Sequence, residues 1–74
     1  MDIRRLVGLN LQRLRHEKDW SQEELDFASG VHRTYISGIE RGVRNPTLTN
    51  LAKLAKALKV PLGELVDPPS RRSR

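Results

Sequence analysis

Between Gln22 and Asn45 the chain concentrates side chains that give and take hydrogen bonds: Gln22, His32, Arg33, Thr34, Tyr35, Ser37, Arg41, Arg44 and Asn45. They do not spell a reaction centre, because no nucleophile stands with a base, no carboxylates pair in a pocket pattern and no glycine-rich phosphate loop is present. The chain has no cysteine, and two isolated histidines, His16 and His32, do not make a structural zinc set. No metal, cofactor or enzymatic activity is expected. The chemistry these residues suit is recognition. The guanidinium of Arg33 is a planar fork able to bond O6 and N7 of one guanine, and the hydroxyls of Thr34 and Ser37 can meet base edges.

Such side chains report a sequence only when one rigid element carries them together. The spacing predicts five helices and no β alternation. Ile3, Leu6, Val7, Leu11 and Leu14 make one stripe over Ile3 to Lys18, while Leu9 lies off it. Ser21 and Glu24 form a capping box that starts a second helix, with Trp20 placed to staple it and Gly30 to end it. A short turn leads to a third helix, capped at His32 and ending near Arg41-Gly42. Here Val31, Ile36 and Ile39 point inward and Arg33, Thr34 and Ser37 outward. Thr47 caps a fourth helix carrying Leu48, Leu51, Leu54, Ala55 and Leu58. Val60-Pro61 stops it, Pro61 suits the first turn of a short fifth helix through about Val66, and Pro68-Pro69 ends the fold. Residues 1–67 are read as one domain and 68–74 as a disordered basic tail.

From Ser21 to Pro46 the chain reads Ser-Gln-Glu-Glu-Leu-Asp-Phe-Ala-Ser-Gly-Val-His-Arg-Thr-Tyr-Ile-Ser-Gly-Ile-Glu-Arg-Gly-Val-Arg-Asn-Pro. This run resembles the helix-turn-helix of the Xre-type family that includes phage lambda repressor and Cro. The likeness extends over roughly residues 6 to 66, and the stretch His32–Arg41 is most similar to controller proteins of restriction-modification systems. The resemblance implies an all-α, five-helix, lambda-repressor-like domain that binds double-stranded DNA as a sequence-specific transcriptional regulator. It also implies an ion pair between Arg15 and Glu40 that pins the recognition helix, and a phosphate contact for Gln22. Two departures stand out: Asp26 occupies a site that is usually alanine, and Gly38 one that often carries a long polar side chain.

On this reading Arg33, Thr34 and Ser37 touch bases in the major groove, with exposed polar residues at a helix surface as the plainer alternative. Gln22, His32, Tyr35, Arg41, Arg44 and Asn45 hold the sugar-phosphate backbone and supply register and affinity. Tyr35 fits equally well as the edge of the core.

Composition is compatible with this reading but does not decide it. In 74 residues Lys and Arg outnumber Asp and Glu by 14 to 9. Three of the basic residues, Arg71, Arg72 and Arg74, lie in the tail, so the domain itself is only mildly basic. No apolar run reaches a membrane span and no signal core opens the chain, so a soluble, cytoplasmic protein without membrane contact is expected. A homodimer is expected because a lone helix reads few bases. Leu62, Leu65 and Val66 either complete that interface or cap the core of the monomer. The competing reading is an antitoxin or adaptor, in which the same scaffold presents Leu62 and Leu65 to a protein partner.

Overall fold

A computed structural model describes residues 2–68. Five helices follow in order: α1 (Ile3–Glu17), α2 (Gln22–Ser29), α3 (Arg33–Glu40), α4 (Leu48–Leu58) and α5 (Gly63–Val66), with no strand among the described residues. The all-α, five-helix expectation holds. The expected tail lies almost wholly outside the described residues, which end at Pro68.

Local chemistry sets the helix ends. Asp2 caps α1 by accepting from the Arg4 amide, and Thr47 caps α4 by accepting from the Asn50 amide. At their C-termini α1, α3 and α4 all close with a bond spanning five residues: Trp20 N to Arg15 O, Val43 N to Gly38 O, and Val60 N to Ala55 O. Each needs one residue with positive φ. Gly42 supplies it for α3, but Asp19 (φ 58°) and Lys59 (φ 60°) supply it for α1 and α4. This reversal at Asp19 ends α1 one residue earlier than the periodicity predicts. Pro61 opens a turn closed by Glu64 N to Pro61 O and Leu65 N to Leu62 O, so the α-helical bonding of α5 begins only at Gly63.

The core collects Val7, Leu11 and Leu14 of α1, Leu25 of α2, Ile36 and Ile39 of α3, Leu51, Leu54, Ala55 and Leu58 of α4, and Leu65 of α5. Val31, in the turn between α2 and α3, joins them. Fully burying one such side chain contributes about 1.5–3 kcal/mol. Helix α1 packs on α3 and α5, α2 on α3 and α4, and α4 on α5. Ile3 and Leu48, which share the apolar stripes of their helices, lie outside because each sits at a helix start beyond the reach of its neighbours. Leu9 is likewise exposed, and Phe27 stands almost fully in solvent.

Candidate nucleic-acid interface

The α2–turn–α3 unit is held by reciprocal caps. Ser21 Oγ accepts from the Glu24 amide at 3.0 Å while Glu24 Oε1 accepts from the Ser21 amide at 2.6 Å, completing the capping box. Gly30 closes α2 with φ 78°, a left-handed turn that glycine adopts without steric cost. Two side chains then satisfy the first amides of α3. Asp26 Oδ2 accepts from Arg33 N at 2.9 Å, and His32 Nδ1 accepts from Thr34 N at 3.0 Å. The unusual acid at position 26 is therefore a cap for the next helix, delivered across the turn, and its partial burial is compensated by that bond.

Arg33 and Thr34 are exposed on the first turn of α3, and Arg41 is exposed at its end. The Arg33 guanidinium lies 3.4 Å from Glu23 of α2, with both side chains mostly in solvent. Ser37 is half-buried, and its Oγ accepts from Arg41 Nη1 at 2.7 Å, which leaves the serine its own O–H to donate. Tyr35 is half-buried against the core, and the Arg44 guanidinium lies over its ring at 5.4 Å. Arg44 and Asn45 are exposed on the loop after α3. His32 is exposed too; with Nδ1 accepting from the Thr34 amide, Nε2 is the ring nitrogen left to donate.

Behind this face lies a buried ion-pair network. Arg15 Nε donates to Glu40 Oε2 at 2.7 Å and Arg15 Nη2 to Glu40 Oε1 at 3.0 Å, a bidentate pair with side chains only 10% and 4% exposed. Arg15 Nη1 donates to the Trp20 carbonyl at 2.7 Å, and Gln22 Nε2 donates to Glu40 Oε1 at 3.0 Å. One carboxylate thus joins α1, α2 and α3. Gln22, expected to face a phosphate, here also belongs to this network.

The last helix corrects one expectation. Leu65 is fully buried within the domain's own core, so it has no surface to offer a second copy or a protein partner. Asn10 draws it in, donating from Nδ2 to the Leu65 and Asp67 carbonyls, each at 2.9 Å. Leu62 and Val66 remain half-buried at the edge of the core.

Two positions that sequence reasoning passed over also shape the site. Asn10 is one. The other is Gly8 in α1, where any Cβ would collide with the Ile39 carbonyl oxygen and lie 2.8 Å from that of Glu40. The available signals were a polar residue on an apolar stripe and a glycine inside a helical pattern.

A family model described as helix-turn-helix matches residues 11–65. The chain belongs to the helix-turn-helix family. As a member it is a DNA-binding transcriptional regulator. It is 53% identical over 68 residues to an uncharacterised HTH-type transcriptional regulator, y4dJ, of Sinorhizobium fredii, covering 92% of this chain and 88% of the relative. It is 48% identical to control protein C.BamHI of Bacillus amyloliquefaciens, over 89% of this chain and 83% of that one. Among solved structures, the restriction-modification controller protein C.Esp1396I, crystallised as a tetramer with its natural 35 base-pair operator, superposes with a TM-score of 0.77 and 39% identity, over 82% of this chain and 80% of that one. The helix-turn-helix unit defined by α2 and α3 lies inside the matched span.

Proposed function

We propose that the regulator reads a two-fold DNA site as a homodimer, placing one α3 in the major groove of each half-site. The observation that carries this reading is the placement of Arg33 and Thr34 together, exposed, on the first turn of a helix whose back is fixed by the Arg15–Glu40 pair. Eight residues of helix span about 12 Å, close to the major-groove width of about 12 Å. Arg33, Thr34 and Ser37 then read base edges. His32 through Nε2–H, Gln22, Tyr35, Arg41, Arg44 and Asn45 hold the sugar-phosphate backbone and set the register. Leu62 and Val66 supply the apolar part of the dimer contact. The likeness to C.BamHI and to the operator-bound C.Esp1396I tetramer supports a controller role within a restriction-modification system. No catalytic step is assigned, and the protein works in the cytoplasm, where its DNA is.

Selection from a randomised duplex pool at about 150 mM salt tests this, because nonspecific phosphate binding weakens steeply there. The expected product is a palindrome with half-sites about 34–36 Å apart, bound by a dimer in sedimentation. Arg33→Ala should cost about 1–3 kcal/mol at one base position. A non-palindromic consensus bound by a monomer overturns the dimer, and an unchanged preference in Arg33→Ala overturns the base assignment.

A further inference from the structure

The middle of α3 carries a notch that a side chain from elsewhere fills. Gly38 lies in the row Thr34–Gly38–Arg41, whose spacings of four and three put these residues on one helical face. Thr34 and Arg41 are exposed, yet Gly38 is buried. Its cover is Arg44: a Cβ at position 38 would clash with Arg44 Cγ and lie 3.3 Å from Arg44 Cβ and 3.5 Å from Cδ. From this seat the Arg44 side chain runs back one turn, to Tyr35, where its guanidinium lies over the ring at 5.4 Å. The loop is tied down at the same point, since the Val43 and Arg44 amides both donate to the Gly38 carbonyl, at 3.0 and 3.2 Å.

We propose that Gly38 is a positioning residue for DNA binding: its missing side chain seats the stem of Arg44 across the recognition helix. Tyr35 then holds the Arg44 guanidinium at the N-terminal half of that helix. Arg44 thereby becomes a preformed part of the reading surface, although the chain places it in a loop. An arginine left to wander from a loop loses several rotors' worth of freedom on binding, and a seat made of a backbone notch and an aromatic face removes much of that cost beforehand. The obstacle in Gly38→Ala is a flexible side chain, which can swing away, so the variant folds and alanine even favours the helix. Only the placement of Arg44 is lost.

This inference rests on the DNA-binding reading and is tested on the full chain with a labelled duplex taken from the randomised pool. Affinity is measured by anisotropy between about 50 and 300 mM salt, for wild type, Gly38→Ala, Arg44→Ala and the double variant, with melting followed by circular dichroism. Gly38→Ala is expected to melt no lower than wild type and to lose about tenfold in affinity, with the salt slope smaller by about one unit. Arg44→Ala should do the same, and the double variant should bind no worse than Arg44→Ala alone. Wild-type affinity in Gly38→Ala, or a double variant whose loss is the product of the single losses, overturns the proposal. If Gly38→Ala does not fold, Arg44→Ala in the same chain must restore folding, because the clash is with its stem; a double variant that stays unfolded overturns the seat. Failure of the wild type to bind any duplex would instead refute the DNA-binding reading itself.

Discussion

Replacing Arg15 by alanine strips the Glu40 carboxylate of two donors and the Trp20 carbonyl of one, leaving Gln22 alone against a charge whose side chain is only 4% exposed. At that depth solvent screens little, and removing one partner of a buried pair costs about 3–5 kcal/mol. A chain of 74 residues holds roughly 4–11 kcal/mol in total, at about 0.05–0.15 kcal/mol per residue. Its unfolding entropy of about 155 cal/mol/K translates the loss into a drop of roughly 20–30 °C in melting temperature. Thermal and urea unfolding by far-UV circular dichroism would measure it. A matched variant, Arg15→Met with Glu40→Leu, separates desolvation from attraction: replacing both charges by apolar groups is often neutral, so the double variant should melt well above Arg15→Ala. Below its melting temperature Arg15→Ala should keep the wild-type base preference, because Arg33 and Thr34, the proposed base readers, are untouched. An Arg15→Ala protein that melts within a few degrees of wild type refutes the reasoning.

Gly8→Ala should destabilise by about 1–3 kcal/mol or more, since its methyl meets backbone carbonyls that cannot rotate away; chemical denaturation measures the loss. Lys59→Gly should raise stability by about 0.5–1 kcal/mol in the same assay, because lysine at φ 60° carries a left-handed penalty that glycine does not. Asp26→Ala, which leaves the Arg33 amide uncapped, should cost about 1 kcal/mol and speed amide exchange in the first turn of α3. Hydrogen bonds from the Arg4 side chain and amide hold the Asp2 carboxyl below its ordinary pKa. Its support of α1 is therefore complete above the ordinary aspartate value and is lost as pH falls through the lowered one. Asp2→Asn should remove that acid dependence from amide exchange at the start of α1.

The features legible in the sequence are those in which a residue acts on its own neighbourhood. Ser21 with Glu24, Gly30, His32 and Thr47 all mark helix ends through bonds within a few residues, and each stands where local chemistry puts it. Inward periodicity found Val31, Ile36 and Ile39 for the same reason. Long-range contacts were not legible. Asp26 caps a helix seven residues on, and Asn10 grips carbonyls more than fifty residues away. Apolar spacing in α5 showed that Leu65 has a buried side but not which surface buries it, and the domain's own α1 proved to be part of the answer. Asp19 and Lys59 reverse the chain at positions where a glycine signal was missing, which is why the end of α1 shifted by a residue.

At Gly8 the two helices meet with no side chain between them: the backbone of α1 rests on the carbonyls that finish α3. Side-chain packing can loosen by rotamer exchange, but backbone against backbone has no such play. At this contact α3 is held on its domain with little room to rock. In the proposed dimer, misfit with the half-site spacing would be absorbed by bending or twisting of the duplex, or by tilting one whole domain against the other, so sequences that differ only in the stiffness of their uncontacted central steps should be bound unequally.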